Sequence, residues 1–397
     1  MANEIKVVYV TTIDMTIRFL LFNQLLHLKD MGYSISAVCT SGPWVVEIEQ
    51  AGIPVKTIGL TRRISPVQDL LALMELYFHF CKEKPAIVHT HTPKANLLGR
   101  LAARLAHVPV VIGTEHGFYF YGKIGWAYWF HATVARLGAW LSDVTFVINE
   151  NDWELAQQKK ISHPPRLVYL RGGVGVDLDR FNPRAVDGLA IRSQLDIHPA
   201  TSVVGIVARL SYEKGLREFL DAAAEISSVM PQALFLVVGP EDGVTQKELE
   251  TITDQLGIRN KVQFLGMRRD MPELYSAMDI LVLPSYREGL GIVLAEAGAM
   301  GKPVVATNIR GCKEAVCDGQ NGLLVPLGDV QALADAIIEL LTDREKARRM
   351  GEEGRRMALE RFDEQMVFEK VEAEYARLLR EKGLPVPEPR PVMEAAL

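Results

Sequence analysis

The sequence predicts an α/β protein built from two parallel-sheet domains. Short Val/Ile-rich runs alternate with helix-period segments through both halves of the chain. The runs are apolar throughout, which marks strands covered on both faces of a parallel sheet. The 397 residues are enough for two domains of ordinary size.

In the first half the strands fall near 6–10, 34–39, 55–58, 87–89, 110–113, 145–148 and 167–170. In the second they fall near 203–208, 234–238, 262–265, 280–283, 304–306 and 322–325. Segments 216–226 and 330–341 carry apolar residues at i, i+3 and i+4, the period of a helix with one buried face. The halves meet at 171–183, where Gly172, Gly173 and Gly175 precede Asp177, Asp179 and Pro183. This division gives an N-terminal domain over 1–172, a hinge at 173–190 and a C-terminal domain over 191–360. A charged helix at 361–382 is expected to return to the first domain, followed by a flexible, proline-rich tail at 383–397. A cleft faced by two such domains is a preferred place for ligands.

Composition narrows the function. With 48% hydrophobic residues, 23% charged residues and a net charge of -5, the chain gives no support to nucleic acid as a main partner. Cys39, Cys81, Cys312 and Cys317 lack the spacing of a zinc site, and no metal is expected. The first residues run straight into a strand without the charged start and apolar core of a signal peptide, and no apolar stretch of about 18 residues occurs. A cytoplasmic protein is expected. Gly173 and Gly175 lack the third glycine of a dinucleotide fingerprint, so neither a nicotinamide nor a flavin cofactor is expected.

The most informative stretch is 284–307, Pro-Ser-Tyr-Arg-Glu-Gly-Leu-Gly-Ile-Val-Leu-Ala-Glu-Ala-Gly-Ala-Met-Gly-Lys-Pro-Val-Val-Ala-Thr. A loop with Glu288, Gly289, Leu290 and Gly291 feeds a helix at 291–300 whose one charged residue is Glu296. A helix apolar all round is buried, and a carboxylate inside it needs a partner with hydroxyls or cations. The glycines let a ligand approach the backbone, and the first-turn amides of Ile292 and Val293 suit an anion.

Ligands of open parallel sheets bind beyond the carboxyl ends of the strands. Arg209 and Lys214 leave the strand at 203–208 together, a pair of cations suited to a diphosphate. Gly239 and Met267 follow two further strands and are placed to frame a base. In the first half, His116 with Gly117 ends the strand at 110–113. The loop at 11–16 offers Thr12 and Asp14 to an acceptor, with Lys94 nearby in sequence to the strand at 87–89.

Taken together, these residues resemble the retaining glycosyltransferases of the GT-B fold numbered family four. The resemblance rests on Glu288 and Glu296 in E-G-L-G-I-V-L-A-E-A, Arg209 with Lys214, the hinge Gly175-Val-Asp177 and the pair His116-Gly117. It implies two Rossmann-like domains facing a cleft and a nucleotide-diphosphate sugar, a UDP-sugar by frequency in the family, as donor. It assigns Glu296 to the ribose hydroxyls, Arg209 and Lys214 to the diphosphate, and Glu288 and His116 to the transferred sugar, with no metal ion required. The reaction it implies is same-face transfer of a hexose-type sugar. The first loop departs from the glycine-rich form common among relatives. A sugar-nucleotide epimerase of the same fold and a non-catalytic sugar- or lipid-binding partner in a glycan assembly complex are the alternatives.

The segment 89–96 and the run 118–121 resemble members that extend lipid-linked glycans for bacterial cell surfaces, which implies a glycan or polyprenyl-diphosphate-linked acceptor. Phe118, Tyr119, Phe120, Tyr121, Trp126, Tyr128, Trp129 and Phe130 cluster in the same domain as Arg62, Arg63, Lys94, Arg100 and Arg104. Aromatic and basic residues together suit peripheral attachment to the inner face of the cytoplasmic membrane.

Overall fold

Each half of the chain closes its apolar runs into one parallel sheet. The computed structural model describes residues 4–61, 64–118, 120 and 123–389. The first sheet holds β1 (Lys6–Ile13), β2 (Ser34–Thr40), β3 (Val55–Thr57), β4 (Ile87–His91), β5 (Val110–Glu115), β6 (Val144–Val147) and β7 (Leu167–Tyr169), in the order β3-β2-β1-β4-β5-β6-β7. The second holds β8 (Val203–Val207), β9 (Leu234–Val238), β10 (Val262–Gly266), β11 (Ile280–Leu283), β12 (Val304–Thr307) and β13 (Gly322–Val325), in the order β10-β9-β8-β11-β12-β13. In both, the chain starts in the middle and reverses direction across the sheet, at β1/β4 and at β8/β11. That reversal opens a crevice at the strands' carboxyl ends.

The chain divides into two units, Met1–Val174 with Gln365–Leu397, and Gly175–Glu364. In the first unit α1 (Pro66–Glu83), α2 (Pro93–Leu105) and α3 (Gly125–Leu141) connect β3 to β4, β4 to β5 and β5 to β6. Right-handed crossovers put all three on one face of the sheet, and α2 packs against both neighbours. The second unit contains α4 (Leu216–Val229), α5 (Met271–Ala277), α6 (Ile292–Ala299), α7 (Arg310–Ala315) and α8 (Arg344–Arg361). The apolar α6 is buried because it lies against α8 at a glycine crossing, where a Cβ on Gly298 would stand 3.2 Å from the Gly354 carbonyl oxygen. A Cβ at either glycine would sit tighter than ordinary van der Waals contact, so glycine at both positions favours helices that close.

The last helix, α9 (Glu364–Glu381), belongs to the first unit. Its Phe368, Val371, Tyr375 and Leu378 are buried in one cluster with Val7, Tyr9 and Val144. The Tyr375 hydroxyl donates to Tyr9 at 2.8 Å and lies 2.6 Å from Nδ1 of the buried His89, whose Nε2 is 2.8 Å from Thr114. Tyr375→Phe strands the buried Nδ1 of His89, while Tyr9 keeps its bond from Gln24, and is expected to cost about 1–3 kcal/mol by urea denaturation. A loss near zero would mean that the apolar contacts of α9 alone hold it.

Three strands of the first sheet run further than the sequence reading gave them: β4 to His91, β5 to Glu115 and β1 to Ile13. The segment at 11–13 is not loop: β1 continues through a register shift after Val10 and pairs Ile13 with Thr40. The Thr11 hydroxyl donates to the Ile13 carbonyl at 2.9 Å, so a polar side chain holds the irregular strand where apolar patterning stops.

Candidate active site

The site in the second unit is assembled from the carboxyl ends of β8 and β11. Arg209 follows β8, and its guanidinium reaches Glu213 at 3.7 Å and forms an ion pair with Asp242. Lys214 ends a tight turn over Tyr212–Lys214, and its Nζ donates to Glu288 Oε1 at 2.7 Å. The Ser285 hydroxyl donates to the same oxygen at 2.7 Å. Two glycines make this approach possible. Gly215 sits at φ +69°, and a Cβ there would overlap the Pro284 carbonyl; a Cβ on Gly311, in α7, would overlap the carbonyl of Glu288. A third, Gly239 at φ +146°, lies against the Ala208 carbonyl, so the ends of β8 and β9 touch through bare backbone. Met267, after β10, is half-buried.

Gly291 caps α6 in the left-handed conformation at φ +67°. Gly289 and Leu290 precede it, and the amides of Ile292 and Val293 lie in the first turn, where helical N–H groups have no intrahelical acceptor. One turn on, Glu296 meets Tyr275 of α5, whose hydroxyl donates to Oε2 at 2.7 Å. Burial pushes the Glu296 carboxyl up to about 7, against the opposing pull of the Tyr275 hydrogen bond and the Arg180 charge. The carboxylate therefore has a hydroxyl partner and a distant cation, but no direct ion pair is recorded for it among the described residues. Such a group gains from further hydroxyl donors.

In the first unit His116 follows β5, with Gly117 at φ +112° behind it. Burial holds its imidazole down to about 4, so it is uncharged near neutral pH. Its Nε2 lies 3.1 Å from Nδ1 of His91 at the end of β4, and His91 Nε2 is buried without a partner. An orphaned N–H costs more than an orphaned lone pair, so we place the His91 proton on Nδ1. It then donates to His116, whose own proton remains on Nδ1.

The acceptor-side residues are differently disposed. Thr12 is buried, and its hydroxyl lies 2.7 Å from that of Thr92. Asp14 is turned inward: its carboxylate accepts from the amides of Met15 at 2.8 Å and Trp44 at 2.7 Å, and it packs against Gly42. It organises the backbone after β2, and both its oxygens are occupied. Lys94 pairs with Asp69 at 2.6 Å.

The aromatic and basic cluster separates into core and surface. Phe118 and Phe120 are buried, Tyr128 is half-buried, and Trp126, Trp129 and Phe130 are exposed; Tyr119 and Tyr121 lie outside the described residues, as do Arg62 and Arg63. Arg100 is not a surface cation. It is fully buried, pairs with Glu115 at 2.7 Å, and occupies space that a Cβ on Gly113 or Gly138 would fill. Arg104 bonds the Leu141 carbonyl at 2.7 Å and Asp143 at 2.9 Å.

Tyr275, Ser285, Gly311 and His91 were not singled out by sequence. Ser285 lies within the informative stretch, three residues before Glu288, a spacing that left a signal. Tyr275, 21 residues from Glu296 and on another helix, left none.

Two Rossmann-like parallel-sheet units are the architecture of the GT-B class. The chain belongs to the group 1 glycosyltransferases: the profile "Glycosyl transferases group 1" matches residues 189–357, and "Glycosyl transferase 4-like domain" matches 23–173. It is 30% identical over 320 residues to the Escherichia coli UDP-Gal:alpha-D-GlcNAc-diphosphoundecaprenol alpha-1,3-galactosyltransferase, covering 79% of this chain and 81% of that one. It is 26% identical to the Staphylococcus aureus capsular polysaccharide biosynthesis glycosyltransferase CapM, covering 95% and 98%. In fold it matches Anabaena Alr3699/HepE, solved with UDP and glucose, with a TM-score of 0.79 at 23% identity and coverage of 94% and 100%.

Proposed function

We propose that the protein transfers a hexose-type sugar from a UDP-sugar, with retention, to a glycan or polyprenyl-diphosphate-linked acceptor in cell-surface polysaccharide synthesis. The observation that carries this reading is the Lys214–Glu288 contact at the mouth of α6, with Glu296 one turn behind. Glu296 accepts the ribose hydroxyls; Arg209, Lys214 and the first-turn amides of α6 receive the diphosphate. Glu288 faces the transferred sugar, and Gly239 and Met267 border the base. His116, held neutral, is a hydrogen-bond donor to the sugar.

In the reaction the bond between the anomeric carbon and the diphosphate oxygen breaks, and its electron pair goes to the phosphate. The acceptor hydroxyl attacks the same face, and its proton passes to the departing phosphate. Arg209 and Lys214 stabilise the charge that develops there, and each preorganised donor of this kind is worth about 3 kcal/mol. Two fixed cations and a helix N-terminus perform the neutralisation without a metal ion in this scheme. The kinship with the lipid-diphosphate galactosyltransferase and the capsular enzyme supports the acceptor class.

Slow hydrolysis of a UDP-sugar without acceptor tests the reading. Proton NMR of the fresh product is expected to show the donor's anomeric configuration, and the signal should vanish in Lys214→Met. A product of opposite configuration would refute retention, and no turnover of any sugar nucleotide would refute the enzyme.

A further inference from the structure

Arg100, on α2, has one demand unmet. Its Nε donates to Thr90 at 3.1 Å and its Nη2 to Glu115 Oε1 at 2.7 Å. Its Nη1 is buried against Gly138 of α3 and makes no hydrogen bond to any described residue. A buried donor without an acceptor is costly, and more so on a charged group, so such an atom calls for a partner. Arg100 and Gly138 both line a recess of about 50 Å³ between α2 and α3, room for roughly four water-sized groups. Leu97, Phe118, Val134 and Ala135 make most of its wall apolar. Glu115 and Gly117, the two neighbours of His116, also line it, so the recess lies at the carboxyl end of β5.

Charge decides what fits there. Glu115 already neutralises the Arg100 guanidinium. His131, the third titratable group of the lining, is held below its ordinary value by burial and then by the Lys123 charge, so it is uncharged at neutral pH. A phosphate or carboxylate would therefore stand beside the Glu115 carboxylate with no uncancelled cation to hold it. A purely apolar group would leave Nη1 unpaired, and water alone would leave the apolar wall wet. A small neutral amide answers every wall. Its carbonyl oxygen accepts from Arg100 Nη1, its N–H donates to the Glu115 oxygen that Arg100 does not engage, and a methyl covers the apolar side. An acetamido substituent has this chemistry and this size.

We infer that the recess between α2 and α3 receives the acetamido group of an N-acetylated acceptor sugar, gripped by Arg100 Nη1 and Glu115. The word acceptor rests on the proposed function, in which the donor's diphosphate, ribose and base are all held by residues of the second unit; the fit of the recess to an acetamido group does not. The buried Arg100–Glu115 pair then serves specificity: it offers a fixed donor beside a fixed acceptor, which a sugar bearing a plain hydroxyl at that position leaves half satisfied.

The test is saturation-transfer NMR of the full chain with the hexyl diphosphate ester of N-acetylglucosamine and with its glucose counterpart. In wild type the acetyl methyl is expected to take the strongest saturation, and the glucose compound to bind at least tenfold more weakly. Leu97→Phe and Ala135→Phe fill the recess from opposite walls while leaving the Arg100–Glu115 pair in place, and each should erase that preference. All five tryptophans lie in the first unit, so intrinsic fluorescence in urea shows that the variants fold there. The inference is overturned if wild type binds both compounds equally or neither, or if the folded variants keep the wild-type preference. It is also overturned if the methyl saturated is that of UDP-N-acetylglucosamine and not of the hexyl ester, which would give the recess to the donor. Methyl saturation intact in a protein that hydrolyses no UDP-sugar would remove the proposed transfer and leave the acetamido recess standing.

Discussion

Glu288→Gln is expected to lower kcat/KM for sugar transfer by a factor of about 100–1,000, and Lys214→Met by a similar factor, about 3–4 kcal/mol of transition-state stabilisation each. The two side chains are 11% and 14% exposed and 2.7 Å apart, so each is the other's main partner in the free protein. Glutamine keeps the volume and can still accept from Ser285, but it leaves Lys214 facing a neutral group. We expect this to reduce stability by about 1–2 kcal/mol, between the values for exposed and fully buried pairs. The losses in rate and in stability therefore differ in size, and steady-state kinetics with thermal denaturation separates them. Arg287→Gln is the control: its partner Glu213 lies at 3.1 Å, both are exposed, and rate should change by less than about twofold. Equal, small losses in all three variants would mean that the Lys214–Glu288 pair only supports the loop.

Glu296→Gln should weaken UDP binding and stabilise the free protein. Burial raises this carboxyl from 4.5 to about 7 in the fold. A group raised in the folded state contributes stability that is fully present below its unfolded value and is lost as pH rises through the folded one. The unliganded wild type should therefore lose stability between about pH 4.5 and pH 7, by an amount on the order of 3 kcal/mol at most. Glutamine has no proton to lose, so the variant should melt higher than wild type at pH 8. The same substitution removes the carboxylate proposed to hold the ribose hydroxyls, and UDP affinity should fall at least tenfold. In wild type, affinity should weaken as pH drops below about 7 and the carboxyl protonates. A satisfied core acid would give the opposite result: a less stable variant with unchanged affinity. A residue that costs stability and gains binding is the usual signature of a functional site.

The sheet architecture was legible because parallel strands are apolar on both faces and need no knowledge of their partners. The end of β1 was not, since Thr11 and Thr12 are polar residues held in an irregular strand, one by the nearby Ile13 carbonyl and the other by the distant Thr92. The residues of the second-unit site were legible as a linear pattern, Glu288 to Glu296 after an apolar strand. Their partners depend on tertiary neighbours: Tyr275 arrives from another helix, and Gly311 matters only because it lies against Glu288. Arg100 misled for a physical reason. Its residue type belongs at the surface, but Gly113 and Gly138 make room for its guanidinium, and Glu115 and Thr90 satisfy two of its nitrogens. The reverse holds for α3, whose tryptophans read equally well as core until the fold shows which side of the helix faces out.

The central claim is that the end of β8, the Glu288 loop and α6 form a nucleotide-sugar site that works without a divalent metal. Titration calorimetry of UDP at pH 8 in the presence of EDTA tests it most directly, with wild type, Lys214→Met and Glu296→Gln compared. Wild type is expected to bind UDP in chelator, with affinity at least tenfold weaker in each variant. No binding to wild type, or binding equal in all three proteins, would contradict it.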